Sequence, residues 1–372
     1  MTKPRVAVNL LWCVPGVGGS EQYLVRQLLG LSEVSHDFSV VVFAPLGFAK
    51  AHKDIAKNFD IVEAPDNCVR RPRRVWLEHT WLAQHTKDFD LVHHGGGTIP
   101  RRGTQPTVLT LHDVQWTQYP DYVRPLKLRY LKMSVPSSLR RASHVTVPSQ
   151  FVAGTLAHHF SIDTEKISVV PHGLERNIST DITDERVLRE RYGITAKRIV
   201  FFPAITHPHK NHLFLLDLLA SKVGDFADPD VVLVCAGAQG NAESAVADAI
   251  REKGLMSRVL RLGHINGADR NGLMQMSEAL VFPSEYEGFG APAIEAMALG
   301  TPVICSDRTS LPEVVGDAGV VIPLTPEAWG KALTTVRLRR QEFVAAGYER
   351  SRMFTVATSA EALLRAYKKA IG

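Results

Sequence analysis

The densest chemistry in this 372-residue chain lies between Pro283 and Ala298, where Glu287 and Glu295 stand eight residues apart around a Gly288-Phe289-Gly290 turn. An apolar run, Ala279–Phe282, leads into the turn and a helical pattern opens near Ala291. Free N–H groups at such a turn suit anionic oxygens, and two carboxylates at this spacing can contact two parts of one polyhydroxylated ligand. Glu295 falls one turn into the helix, where an inward carboxylate requires partners. A capped helix with a satisfied glutamate is the plainer alternative.

Three further groups of residues could handle charge. Thr206-His207-Pro208-His209-Lys210-Asn211-His212 follows another apolar run and opens a helix. Lys210 can meet a phosphate there as a mobile point charge beside a helix N-terminus. The three histidines also admit a metal reading, but no carboxylate or cysteine completes a recognisable site, and polar or phosphate-facing loop histidines explain them more simply. Near the start of the chain, Pro15-Gly16-Val17-Gly18-Gly19-Ser20-Glu21 forms a glycine-rich strand-to-helix turn. It either brings backbone close to an anion or is a plain tight turn, and its spacing is not the dinucleotide fingerprint. His112, next to Asp113, sits just past the carboxyl end of a strand, on the edge where open α/β sheets bind ligands. Asp88-Phe89-Asp90 and Asp228-Pro229-Asp230 match a pattern associated with metal-bound diphosphates, yet both immediately precede strands, where Asp is an ordinary turn residue.

These residues need an alternating framework to hold them. In the first half the apolar runs Arg5–Trp12, Ser39–Phe43, Leu91–His93, Thr107–Leu111 and His144–Val147 read as buried parallel strands, with helical patterns at Ser20–Leu31, Val75–His85 and Pro125–Arg140. The second half repeats the rhythm with strands Ile199–Phe202, Val231–Cys235, Ala279–Phe282 and Val303–Cys305 and helices Asn211–Lys222, Asn241–Lys253 and Ala291–Leu299. Strand–helix alternation twice over predicts two doubly wound α/β domains, with a boundary after Val169-Val170-Pro171-His172-Gly173. The last pattern, Thr358–Ile371, is an amphipathic helix with no strand after it, which would pack back onto the first domain and make that domain discontinuous.

Composition narrows the class. With 45% hydrophobic and 22% charged residues the chain is globular, and no apolar stretch is long enough for a membrane span. The first apolar run is too short for a signal peptide. Four separated cysteines with no C-x-x-C pair read as reduced cytoplasmic thiols. The net charge of +5 is uneven: residues 1–174 hold 20 Lys and Arg against 14 Asp and Glu, and the remainder 23 against 24.

The string E-G-F-G-x-P-x-x-E-A-M-A carrying Glu287 and Glu295, then Gly300-Thr301-Pro302-Val303 and Ser310-Leu311-Pro312-Glu313, resembles the retaining GT-B glycosyltransferases of family 4, the glycosyl transferases group 1. Pro148-Ser149-Gln150-Phe151, Val170-Pro171-His172-Gly173 and Gly18-Gly19 fall in the order the resemblance requires, so it covers nearly the whole chain. It implies two Rossmann-like domains facing across a cleft: residues 1–173 plus a C-terminal helix at about 356–372 for the acceptor, and residues 174–355 for the donor. Glu295 would hold the ribose hydroxyls and Glu287 the donor sugar, with Gly288, Phe289 and Gly290 supplying backbone donors. Lys210 would meet the donor diphosphate, Gly18 and Gly19 would close over it, and His112 would point at the transferred sugar. Many members carry an Arg five or six residues before the lysine. Ile205 and Ala204 stand there in this chain, so either His207 or His209 substitutes or diphosphate binding is weaker.

The implied activity is metal-independent hexosyl transfer with retention, from a GDP- or UDP-linked sugar and with no further cofactor. Mannose is the favoured sugar, by analogy with similar H-D and P-x-K-N variants. A sugar-nucleotide epimerase and a non-catalytic nucleotide-sugar-binding subunit are the alternatives. A glycan, glycolipid or lipid-linked acceptor should meet the first domain, where Arg70-Arg71-Pro72-Arg73-Arg74, Arg101-Arg102 and the helix bearing Arg124, Lys127, Arg129 and Lys132 are basic. That helix, on which Leu126, Tyr130 and Met133 share a face, either rests on anionic lipid at the inner face of the membrane or is a solvated basic surface. No nucleic-acid-reading module accompanies the charge.

Overall fold

The structure, a computed structural model, describes residues 3–13, 19–103, 105–221 and 224–372. It divides into two compact units, one made of Met1–Gly173 with Thr355–Gly372 and the other of Leu174–Phe354. Counted by unit, the sequence places 23 Lys and Arg against 15 Asp and Glu in the first and 20 against 23 in the second.

The first unit holds a seven-stranded sheet of β1 (Arg5–Asn9), β2 (Ser39–Ala44), β3 (Asp60–Glu63), β4 (Leu91–His94), β5 (Thr107–Thr110), β6 (His144–Val147) and β7 (Ile167–Val169). Every pairing is parallel and the order is β3-β2-β1-β4-β5-β6-β7. The second holds six parallel strands, β8 (Arg198–Pro203), β9 (Val231–Ala236), β10 (Val259–Arg261), β11 (Ala279–Phe282), β12 (Val303–Ser306) and β13 (Val320–Ile322), in the order β10-β9-β8-β11-β12-β13. Helices cover both faces of such sheets, which is why the central strands are continuous buried apolar runs such as Ile199–Phe202. In each sheet the strand order reverses once, between β1 and β4 and between β8 and β11. Loops leaving the carboxyl ends of those strand pairs diverge and leave a crevice for a ligand.

The C-terminal helix, Val356–Ile371, belongs to the first unit. Thr355 caps it in a reciprocal box with Thr358. Ala360, Leu363 and Tyr367 enter the core formed by Val6, Val8, Tyr23, Leu24 and Leu28. Two glycines allow the approach. A Cβ on Gly30, inside helix Gly19–Glu33, would lie 2.0 Å from the Val356 carbonyl oxygen, and one on Gly173 would lie 2.6 Å from Val356 Cα. The Ser359 hydroxyl donates to the Pro171 carbonyl at 2.7 Å. The buried His93 ring joins Tyr367 Oη (2.9 Å) to Thr110 Oγ1 (2.7 Å), which meets Thr146 Oγ1 at 2.7 Å.

Burial holds several imidazoles neutral. The pKa falls to about 3 for His93 and His94 and to about 4 for His112 and His144 in the first unit, and to about 3 for His209 and about 4 for His212 in the second. An unfolded histidine titrates near 6.5, so between about pH 6.5 and 4 the unfolded chain binds protons that the folded chain does not. Stability is therefore fully present above pH 6.5 and declines as the pH falls through that window, by up to about 1.4 kcal/mol per pH unit for each such ring. Unfolding at pH 5.5 should take up about five more protons than unfolding at pH 8. Calorimetry in buffers of different ionisation enthalpy reads this number, and an uptake near zero would show that the rings titrate normally.

Candidate functional site

The loops after β8 and β11 lie side by side because these strands pair across the reversal point of the second sheet. The first loop closes in a short 3-10 turn, Pro208–Lys210, and Asn211 takes a left-handed φ of 62° before helix His212–Ala220. The Glu285 N–H donates to the His209 carbonyl at 2.8 Å, which stitches the two loops together. Beside this link Lys210 Nζ donates to the Glu287 carboxylate at 2.6 Å, with both side chains largely buried. Thr206 braces the loop from behind. Its hydroxyl donates to Glu243 and accepts from the Gly240 N–H, each at 2.7 Å, and Arg261 pairs with the other Glu243 oxygen.

The turn at 287–290 is held from the loop after β12. The Glu287 N–H donates to Thr309 Oγ1 at 3.0 Å, and Thr309 itself sits at φ 56°, a strained conformation for a β-branched residue. The Ser310 hydroxyl lies 3.0 Å from the carbonyl oxygens of both Glu287 and Phe289 and donates between them. Gly290 opens helix Ala291–Ala298 at φ 96°, where a Cβ would come within 2.6 Å of Leu311 Cδ2. Phe289 packs its ring edge-on against Phe354, 5.6 Å away, so its side chain anchors the turn and its backbone forms it. Gly288 lies between them. Glu295 is buried in the same helix as its start at Ala291, with Arg270 Nη2 3.4 Å from its carboxylate.

Lys210 and Glu287 thus meet between the two loops, Gly288, Phe289 and Gly290 carry the chain from Glu287 into the helix, and Glu295 lies within that helix beside Arg270. The histidines divide. His207 and His209 stack at 5.7 Å, whereas His212 is buried against Phe202, with ring centroids 4.5 Å apart. Burial, and then the adjacent Lys210, push the His209 pKa down to about 3. Among the described residues no group of three or more His, Cys, Asp or Glu is placed to hold a metal ion. The D-x-D triplets are turn residues: Asp90 accepts from the Arg5 N–H at 2.7 Å and Asp228 pairs with Arg198 at 2.5 Å.

Gly19 and His112 lie in the first unit. Gly19 begins helix Gly19–Glu33, and Gly18 lies outside the described residues. His112 follows β5, and its Nε2–H donates to the Gly95 carbonyl at 3.0 Å. Its ring packs between Trp12 and Tyr23, with centroids at 5.7 and 5.2 Å, and burial lowers its pKa to about 4. With the proton on Nε2, Nδ1 is left as a neutral acceptor. Asp113 accepts from the Gln115 N–H at 3.0 Å. Asn9 Nδ2 donates to His94 Nδ1 at 3.2 Å across the β1–β4 reversal point, and burial raises the nearby Glu78 carboxyl.

Arg270, Thr309, Ser310, Asn9 and His94 escaped the sequence reading as site-forming residues. Only Ser310 carried a visible signal, as the first residue of Ser-Leu-Pro-Glu. The others reach the crevice through the sheet order, which local patterns do not encode.

Residues 17–178 match the family model for Glycosyltransferase Family 4, and residues 184–349 match that for glycosyl transferases group 1. The chain is similar to the O-antigen chain mannosyltransferase RfbU of Salmonella typhimurium, with 28% identity over 340 residues, 86% of this chain and 87% of that protein. It is also 28% identical to O-antigen chain mannosyltransferase B of Escherichia coli over 254 residues, 67% of this chain and 64% of the relative. Among solved structures, Anabaena HepE in complex with UDP and glucose superposes with a TM-score of 0.75 at 20% identity, covering 98% of this chain and 99% of that one. Two family models that together span almost the whole chain, and two Rossmann-like sheets matching GT-B structures, lead to one conclusion: the chain is a glycosyltransferase and belongs to glycosyltransferase family 4.

Proposed function

We propose that the enzyme moves mannose from GDP-mannose to a glycan or lipid-linked saccharide with retention of anomeric configuration. The Lys210–Glu287 contact carries this reading. It places a cation and a carboxylate 2.6 Å apart at the reversal point of the sheet, where a sugar diphosphate needs the first on its phosphates and the second on its sugar hydroxyls. Donor binding would part them, with Lys210 turning to the diphosphate and Glu287 to the sugar. Glu295 would take the ribose hydroxyls. His112, neutral above about pH 5, would accept a hydrogen bond at Nδ1 and not serve as an acid.

The C1–O bond to the diphosphate then breaks as the acceptor oxygen bonds C1 on the same face. The acceptor's proton passes to the departing phosphate oxygen. Charge developing on that oxygen is what Lys210 would stabilise most in the transition state. The relatives named as mannosyltransferases support the choice of sugar.

A thermal-shift and transfer assay with GDP-mannose, UDP-glucose and dTDP-glucose tests the donor. GDP-mannose should give the largest shift and the α-linked product by NMR. Isomerised donor in the absence of acceptor would instead establish the epimerase reading, and binding without turnover would establish a binding subunit.

We also propose peripheral contact with anionic lipid through helix Pro125–Arg141. Leu126 is 83% and Met133 61% exposed among Arg124, Lys127, Arg129 and Lys132. Tyr130 is half-buried on this helix, with Arg71 over its ring at 4.6 Å. The protein should co-sediment with phosphatidylglycerol vesicles at low salt and be released at high salt. No sedimentation at low salt would remove the idea. Among the described residues no helix is long and apolar enough to cross a membrane.

A further inference from the structure

We infer that Thr206 is a positioning residue for Lys210: it locks the loop after β8 to the loop after β9, and so sets the ammonium where the donor diphosphate would meet it. This rests on the reading of Lys210 proposed above and adds the residue that holds it in place. β8 lies between β9 and β11 in the sheet, and the loop leaving it is tied to the loops on both sides. On the β11 side the tie is the Glu285 N–H on the His209 carbonyl. On the β9 side Thr206 makes it with every polar group it has. Its N–H donates to the Ala238 carbonyl at 3.3 Å, its carbonyl accepts from the Ala242 N–H at 2.8 Å, and its hydroxyl bonds Gly240 and Glu243. Lys210 hangs between the two ties, with its N–H donating to the His207 carbonyl at 3.0 Å.

The support calls for a hydroxyl. Thr206 is buried, and its Oγ1 accepts from an N–H while donating to a carboxylate, two roles that a hydroxyl combines and a methyl cannot fill. Glu243 stands in the first turn of helix Glu243–Glu252, where the dipole favours a carboxylate, and Arg261 at the end of β10 pairs with its other oxygen. The oxygen that takes the Thr206 proton is therefore charged and fixed, and a hydrogen bond to a charged group is the stronger kind. At Gly240 the two loops approach more closely than a side chain permits. A Cβ there would lie 2.6 Å from the Thr206 carbonyl oxygen and 2.9 Å from His207 Nδ1. A lysine carries a point charge on a flexible stem, so its aim at a phosphate depends on where its backbone is held. Thr206 stands four residues before Lys210, with only His207 and the turn Pro208–Lys210 between the support and the cation.

Calorimetric titration of the full chain with GDP and guanosine, and in parallel with UDP and uridine, tests this. The ratio of diphosphate to nucleoside affinity reads the hold on the phosphates. Thr206→Val keeps the shape of the side chain and removes the hydroxyl. It should lower the diphosphate affinity about ten-fold and leave the nucleoside affinity within about two-fold. Thr206→Ser keeps the hydroxyl and should bind as the wild type does. Gly240→Ala presses on the same loop without removing a hydrogen bond and should lose diphosphate affinity in the same way, and it decides alone if Thr206→Val does not fold. In a Lys210→Met background Thr206→Val should cost less than about two-fold further. Thr334→Val is the control. It removes a hydroxyl-to-carboxylate bond of the same kind, 2.6 Å to Asp225, which precedes β9 and so lies at the amino edge of the sheet. It should leave both affinities unchanged. A wild-type ratio in Thr206→Val, an equal loss in Thr334→Val, or an undiminished loss in the Lys210→Met background overturns the inference. The two readings fail differently. A wild type with no diphosphate advantage, or Lys210→Met with the wild-type ratio, overturns the reading of Lys210 itself. A ratio that Lys210→Met lowers and the loop variants keep overturns only this one.

Discussion

Glu287→Gln is expected to lower kcat by about 10²–10³-fold, with the donor KM and the melting temperature little changed. The substitution keeps the side chain's size and one acceptor oxygen but removes its charge. In the structure that charge faces Lys210 at 2.6 Å in a largely buried setting. In the mechanism proposed above, the donor would draw Lys210 to the diphosphate and leave the carboxylate to steady the sugar as positive charge develops at C1. Such an interaction would strengthen in the transition state, so its loss would fall on kcat. Lys210→Met should behave differently. It leaves a buried carboxylate without its cation, so it should cost about 1–3 kcal/mol of stability as well as activity. The double variant Lys210→Met/Glu287→Gln should regain most of that stability and none of the turnover. Steady-state kinetics and denaturant unfolding of the three proteins separate these effects. Near-normal turnover in Glu287→Gln would sink the role given to that residue.

Gly30→Val should destabilise the first unit by more than about 3 kcal/mol and yield largely insoluble protein. The added branch would meet the Val356 carbonyl, which is backbone and cannot rotate away. The C-terminal helix would have to lift, exposing Leu363 and Tyr367 and breaking the His93–Tyr367 contact. Gly154→Ala is the counterpart. It lies in helix Gln150–Phe160 with nothing within 4 Å of the added Cβ, so it should stabilise by about 0.5–1 kcal/mol. Urea unfolding measures both, and a soluble Gly30→Val protein of wild-type stability would show that the two helices can separate at little cost.

The strands that escaped the sequence reading share one property. β3, β7, β10 and β13 are the four edges of the two sheets, each three or four residues long. An edge strand is covered less completely than a central one, so it needs no continuous apolar run: Asp60-Ile61-Val62-Glu63 and Ile167-Ser168-Val169 carry too few apolar residues to stand out. Central strands such as Ala279–Phe282 were readable because burial on both faces permits little else. The site was readable to the same extent. Lys210, Glu287 and Glu295 follow strands directly, so their placement comes with the alternation. Thr309 and Arg270 act on glutamates 22 and 25 residues away in sequence, across neighbouring loops and helices. Such pairs are fixed by strand order and helix packing, not by spacing. Tyr130, four residues after Leu126 on the same helix, is half-buried because the Arg71 guanidinium lies over its ring, a contact that helical periodicity does not show.

The C-terminal helix has a further consequence for how the chain is made. On a ribosome the first 173 residues emerge early, yet their core lacks Ala360, Leu363 and Tyr367 until the last segment is synthesised. Leu174–Phe354, which contains all of its own strands, can complete its fold first. Joining the final helix to the waiting sheet then closes a loop whose ends are already held by a folded unit, so the entropic cost is far below that of a free chain of the same length. The N-terminal unit is therefore the last to mature, and a nascent chain stalled before Thr355 should present a protease-sensitive first unit beside a resistant second one.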